Sequence, residues 1–170
     1  SDTSYHAKGK QKLKAGGMFY TAQSGIWQTV WMEYVPEVYI TELEAIPDID
    51  RNVVRICVHA SEPEQKCRIT VHQAEIYPEP MKCAEDVSSL FGIPETVITE
   101  LEGNTGAWIE ISVSDARLWT CEEPYLYYYK VTTCEDQVIS YFAMRKFSLE
   151  PDAETEGFPR ICLNGKEQFQ

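Results

Sequence analysis

Leu118-Trp119-Thr120-Cys121-Glu122-Glu123-Pro124-Tyr125-Leu126-Tyr127-Tyr128-Tyr129-Lys130-Val131-Thr132-Thr133 runs through the acidic turn Glu135-Asp136 into Val138-Ile139-Ser140-Tyr141-Phe142-Ala143-Met144-Arg145-Lys146-Phe147. From Tyr125 onward aromatic and β-branched residues crowd together, which is strand composition. Two such runs joined by a short polar turn form a β-hairpin, with the second run reaching from Val138 to Leu149. Strand parity sends Tyr128 to the face opposite Tyr127 and Tyr129, so Tyr128 is the tyrosine expected to be more exposed. Trp119, just ahead of the hairpin, is the largest apolar group available to seat it and is expected in the core, as is Trp108.

Upstream the same alternation recurs in shorter pieces. Val38, Ile40 and Leu43 begin a strand that ends at the turn Pro47-Asp48-Ile49-Asp50. Val54, Ile56 and Val58 alternate with Arg55, Cys57 and His59 between Val53 and Ala60, which places the first set inward. Arg68 to Ile76 alternates again until Pro78 and Pro80 stop it. Residues 81–93 are weakly patterned, consistent with a short helix or an irregular loop. Val97 to Leu101 is a short strand before Gly103-Asn104-Thr105-Gly106, and Ala107 to Val113 is another. About seven short strands, turn signals between them and no long helix make an all-β reading, an immunoglobulin-like sandwich of antiparallel strands.

The ends read differently from the middle. Residues 1–23 are polar, basic and Gly-containing, with no clean period, and read as a long loop. Ile26 to Trp31 has strand composition, and Pro36 marks the next boundary. Residues 151–157 form an acidic linker, and Asn164-Gly165 between Ile161 and Phe169 is a two-residue hairpin signal.

The chain has 170 residues and a net charge of −12. Four lysines against Asp2 give the first twenty residues +3 and leave −15 on the rest. An acidic body lacks the Lys/Arg stripes that nucleic acid or anionic membranes need, and no apolar run approaches the roughly 18 residues of a membrane span. The six cysteines, Cys57, Cys67, Cys83, Cys121, Cys134 and Cys162, form no Cys-x-x-Cys, and no His-x-His accompanies them. No metal site or cofactor is therefore expected. A cross-core disulfide would suit Cys57 and Cys134, but the inward set Val54, Ile56 and Val58 turns Cys57 outward. Free thiols and a reducing, cytoplasmic location are the expectation.

Three of these stretches carry a resemblance. Leu118-Trp119, Pro124-Tyr125-Leu126-Tyr127 and Tyr141-Phe142-Ala143-Met144-Arg145-Lys146 together resemble glycoside hydrolase family 2, the family of β-galactosidases, β-glucuronidases and β-mannosidases. There the pattern closes the immunoglobulin-like domain before the catalytic barrel. Ser24-Gly25-Ile26-Trp27-Gln28 is similar to the family's exit from its sugar-binding domain, and Ile161-Cys162-Leu163-Asn164-Gly165-Lys166 to the hairpin that opens the barrel. The family usually has Gly where this chain has Ala143. The resemblance implies three parts: residues 1–34 as the end of the preceding jelly-roll domain, 35–150 as the sandwich, and 151–170 as the linker and hairpin into the barrel.

It also implies what chemistry to expect of a parent enzyme. Family members resemble the retaining scheme, with two carboxylates about 5 Å apart as acid/base and nucleophile. The acid/base follows an Asn on the barrel, and this chain holds Asn52-Val53, Asn104-Thr105 and Asn164-Gly165 but no Asn-Glu. No catalytic residue is expected in it. Glu122-Glu123 and the Glu42/Glu44 pair read as solvated neighbours, and His6, His59 and His72 as isolated histidines, the last two facing out. In the galactosidase branch a carboxylate precedes Ser-Gly-Ile, whereas Met18 to Gln23 contains none.

The role implied is that of a non-catalytic sandwich from a β-galactosidase-like family 2 glycoside hydrolase, bracing a barrel against a sugar-binding domain, its neighbours in the same parent chain. Two other readings stay open: a carbohydrate-binding module that holds glycan through exposed aromatic residues, and a free-standing immunoglobulin-like interaction domain; Trp27 and Trp31 are expected to be partly exposed without being a site. Ile26 to Trp31 lacks its normal partner strand, so it is expected either to fold onto the chain's own sheet or to exchange with a second copy as an artefact of isolation.

Overall fold

The structure is a computed structural model that describes residues 9–23, 25–26, 28–76, 96–151 and 157–168. Residues 81–93 and Trp27 lie outside them. The chain divides into two compact units, Ser1–Tyr34 and Val35–Gln170.

The first unit is nearly all coil. Two short strands, β1 (Gln11–Lys12) and β2 (Tyr20–Thr21), pair in parallel, and Lys12 Nζ sits 3.7 Å from the Phe19 ring centroid. The strand expected over Ile26 to Trp31 does not form in its described residues. Ile26, Val30 and Trp31 are exposed there. Composition made that segment a strand, but a strand needs a ladder partner, and the described residues there have none.

The second unit is an immunoglobulin-like β-sandwich. Its strands are β3 (Ile40–Asp48), β4 (Val53–Ala60), β5 (Lys66–Ile76), β6 (Val97–Asn104), β7 (Trp108–Ser112), β8 (Tyr125–Thr132) and β9 (Gln137–Phe142). One sheet has the order β3-β4-β7 and the other β6-β5-β8-β9, antiparallel throughout. The alternation of β4 is explained by this layering: Val54, Ile56 and Val58 meet Ile69 and Val71 of β5 and Tyr127, Tyr129 and Val131 of β8 in one buried cluster with Ile111, Val113, Phe142 and Met144. Tyr127 and Phe142, cross-strand neighbours, stack at 5.3 Å with 9° between ring planes.

Polar groups fix the strand ends. Tyr127 Oη accepts a hydrogen bond from the Arg117 backbone N–H at 2.7 Å, ten residues upstream. This is the tyrosine corner of immunoglobulin-like sandwiches, tying the β7–β8 connection to the core. Asp136 Oδ2 accepts from Ile40 N–H at 2.8 Å, holding the first residue of β3 against the β8–β9 turn.

Four expectations are corrected. Tyr128 is not exposed: it lies on the outer face but is buried at 7 %, beside Thr70 and His72 of the same face, also buried. Parity decides which face a residue takes, not whether that face is covered. Cys57 is likewise on the outer face yet only 2 % exposed. Trp108 is 46 % exposed and Trp119 half-buried, both outside the core that tyrosines and aliphatic residues fill. The second run of the hairpin is broken: β9 ends at Phe142, Met144 turns into the core, and β10 (Phe147–Pro151) leaves to pair with β11 (Pro159–Leu163), itself paired with β12 (Lys166–Glu167). Asn164 and Gly165 both have positive φ, 53° and 74°, as the two-residue turn between β11 and β12 requires.

Candidate functional site

Two places on the sandwich gather side chains whose chemistry exceeds packing. The first is the corner where the β7–β8 connection, the end of β9 and the β11–β12 turn meet. Trp119 N–H donates to the Met144 carbonyl at 3.0 Å. Asn164 then closes the corner: its Nδ2 donates to the Trp119 carbonyl at 2.9 Å, its Oδ1 accepts from Lys146 N–H at 3.0 Å, and its own N–H donates to the Lys146 carbonyl at 2.8 Å. Lys146 Nζ reaches Asp50 Oδ2 at 2.5 Å, adding an ion pair to the β3–β4 turn.

Above this frame the Arg145 guanidinium lies between two rings, 4.8 Å from the Trp119 centroid and 5.4 Å from Phe147. A cation over an indole face gains electrostatic attraction and covers the ring without burying it. That is why so large a side chain sits outside the core. Next to it a cleft of about 480 Å³ is lined by Ala45, Pro47, Leu126, Tyr141, Phe142 and Phe147 among others. Phe147 and Tyr141 are 58 % and 57 % exposed, and Leu149 of β10 70 %, so the corner presents apolar surface around one fixed charge. Exposed apolar patches of this kind mark contact with another protein surface or domain.

The second place is the outer face of the β3-β4-β7 sheet. The register sets Glu42 opposite His59 and Glu44 opposite Cys57. His59 Nε2 and Glu44 Oε1 are 2.6 Å apart. Burial first, then Glu44 and Glu42, push the Cys57 thiol up from its ordinary value, so it is no activated nucleophile. His59 is therefore not isolated and Glu44 not merely solvated, contrary to the sequence reading. The signal lay in Cys57 and His59 sharing one face of β4, but only the β3–β4 register, offset by an irregularity between Ile40 and Glu42, brings the carboxylate to them.

Trp31 is exposed in the first unit, Trp108 lies with the Arg55 guanidinium 5.5 Å over it, and Trp119 lies beneath Arg145. Glu122 and Glu123 are exposed, and the Glu123 backbone N–H closes its own turn by donating to Thr120 Oγ1 at 3.0 Å. The five described cysteines are free thiols, Cys57, Cys67 and Cys162 buried and Cys121 and Cys134 exposed.

The sequence model of the family described as Glycosyl hydrolases family 2 matches residues 38–145. No curated protein matches the chain. Among solved structures, an uncultured Clostridium sp. β-glucuronidase superposes with a TM-score of 0.52 at 17% identity, over 79% of this chain and 19% of that one. A Ruminococcus gnavus β-glucuronidase gives 0.53 at 16%, over 79% and 19%. A Faecalibacterium prausnitzii β-glucuronidase gives 0.51 at 18%, over 79% and 18%. The chain thus spans about one fifth of these structures, and at such identity the likeness shows the fold.

Proposed function

The chain belongs to glycosyl hydrolases family 2, and from that premise we propose that it is the non-catalytic immunoglobulin-like domain of a larger enzyme that hydrolyses O-glycosyl bonds. In this reading residues 1–34 end the preceding sugar-binding domain, 35–150 form the sandwich, and 151–170 lead into the catalytic barrel. The domain braces the barrel against the sugar-binding domain.

The observation that carries the reading is the corner. Asn164, in the outgoing hairpin, bonds to Trp119 and Lys146 of the sandwich, so the segment that leaves the domain does so in a fixed direction. A segment meant only as a tether would not be held by three hydrogen bonds at one residue. The exposed apolar surface of Phe147, Leu149 and Tyr141 around Arg145 fits the flank of a neighbouring domain. The family's retaining scheme needs two carboxylates on the barrel, so catalysis belongs to the parent and not to this chain.

Which glycoside the parent cleaves is the finer question. The solved relatives are β-glucuronidases by description, and the Met18 to Gln23 stretch lacks the carboxylate expected of a galactosidase. Both observations favour a β-glucuronide over a β-galactoside. The test has two arms. The purified chain should turn over neither nitrophenyl β-glucuronide nor nitrophenyl β-galactoside, and the chain extended through its downstream barrel should hydrolyse one of them. Turnover by the chain alone would sink the non-catalytic assignment, and retention on a glycan affinity matrix would promote the binding-module reading instead.

A further inference from the structure

The outer face of the β3-β4-β7 sheet holds a donor set that a bracing role does not use. We propose that Glu44, Cys57 and His59 form a binding site for a single divalent cation of the zinc class. Cys57 and His59 are two residues apart on β4 and so share a face, and the strand register brings Glu44 across to them. One ligand atom from each, the thiol sulfur, an imidazole nitrogen and a carboxylate oxygen, all lie within 4.8 Å of one another. Thiolate with imidazole and carboxylate is a borderline-soft set that suits zinc better than magnesium or calcium, which take oxygen donors.

The geometry requires little movement. Zinc bond lengths in a tetrahedral site put ligand atoms about 3.3 to 3.6 Å apart. The 2.6 Å separation of His59 Nε2 and Glu44 Oε1 must open, and the widest must close, each by roughly 1 Å on those bond lengths. The His59 and Glu44 side chains are 39% and 42% exposed and can rotate, whereas buried Cys57 is the fixed point. Glu42 is paired across the ladder with His59 on the same face.

Charge supports the same occupant: Glu42 and Glu44 share this face of β3, and carboxylates beside the site attract a dication. On binding, the thiol proton passes to solvent and the sulfur bonds the cation as thiolate. The Nε2 proton that His59 shares with Glu44 Oε1 must likewise leave, to Nδ1 or to solvent, before Nε2 can ligate. The alternative use of a Cys-His-Glu set, nucleophilic attack, needs a thiol whose pKa is lowered, and here it is raised.

The experiment is equilibrium dialysis of the whole chain against Zn²⁺ at about pH 8, where the cation competes with fewer protons for the thiol and the imidazole, with Co²⁺ as a spectroscopic stand-in. One ion per chain and a thiolate-to-cobalt charge-transfer absorption are expected. His59→Gln and Glu44→Gln should each weaken binding by roughly tenfold or more, with the circular dichroism spectrum unchanged. Cys57→Ser should abolish the absorption. The pair Cys121→Ser and Cys134→Ser, which removes the exposed thiols among the described residues, should leave both readouts intact. Binding that survives His59→Gln at full strength, an absorption lost with the exposed thiols, or no uptake by the unsubstituted chain would each overturn the proposal and leave an ordinary ion pair.

Discussion

Asn164 and Trp119, 45 residues apart, are joined by a 2.9 Å hydrogen bond from the Asn164 side-chain amide to the Trp119 carbonyl. The same side chain accepts from Lys146 N–H, so one residue of the outgoing hairpin fixes two segments of the sandwich. The pattern Asn-Gly serves the turn and the fixation at once, because Asn tolerates the φ of 53° and carries both a donor and an acceptor.

Replacing Asn164 separates these roles. Asn164→Gly keeps the backbone conformation and removes the two side-chain hydrogen bonds, and Asn164→Ala adds strain at positive φ. The amides of residues 161–163 should exchange faster in both, by a factor of about thirty for Gly and more for Ala, from about 1 kcal/mol for each of the two lost bonds. The midpoint of global unfolding should move less. Unchanged exchange in the glycine variant would mean the corner is held elsewhere.

The tyrosine corner gives a cleaner stability readout. Tyr127→Phe keeps the stacked ring and deletes only the acceptor of the Arg117 N–H, so it should cost about 1–2 kcal/mol in urea denaturation. A variant as stable as the parent chain would show that water replaces the phenol.

Trp119→Ala should cost less than its size suggests, about 1–2 kcal/mol, because the ring is half-buried under Arg145. Ile69→Ala, which opens the fully buried core, should cost about 2–5 kcal/mol. If the tryptophan variant were the more destabilised of the two, Trp119 would have to be placed in the core.

Alkaline pH should unfold the sandwich in two stages. Burial raises the Cys57 and Cys67 thiols above their ordinary 9.0, and the Tyr127 and Tyr129 phenols above their ordinary 10.0. Between the unfolded and folded pKa the native state binds the extra proton, so stability is full below the unfolded value and falls as pH rises. Urea midpoints should decline from pH 9.0, the thiol value, and more steeply beyond pH 10.0, the phenol value. Burial raises the Cys162 thiol likewise, so Cys57→Ala, Cys67→Ala and Cys162→Ala together should remove the first stage only. A flat profile through both values would contradict the burial of these groups.

The sheets were legible in the chain because one-sided burial imposes period two: Val54, Ile56 and Val58, or Ile109, Ile111 and Val113, declare their strand and its inner face. Coverage of the outer face was not legible. Tyr128 and Cys57 alternate as outward residues should and are buried all the same. Trp119 misled by size, since the reading had no means of seeing Arg145 come to lie on its ring. The pairing of β10 with β11 depends on chain segments that approach only in three dimensions, as does the Glu44–His59 contact, which follows from a register rather than from any local spacing.

The hydrogen bond from Ile40 to Asp136 crosses 96 residues of sequence. A chain emerging from the ribosome would therefore make its first sandwich strand long before the group that secures it exists. The ladder with β4 is available to β3 at once, but the end of β3 at Ile40 is secured only after the β8–β9 turn has been made. Such high contact order slows folding and leaves an early strand waiting with an open edge. Its charged residues Glu42 and Glu44 keep that edge from pairing with other nascent chains in the interval.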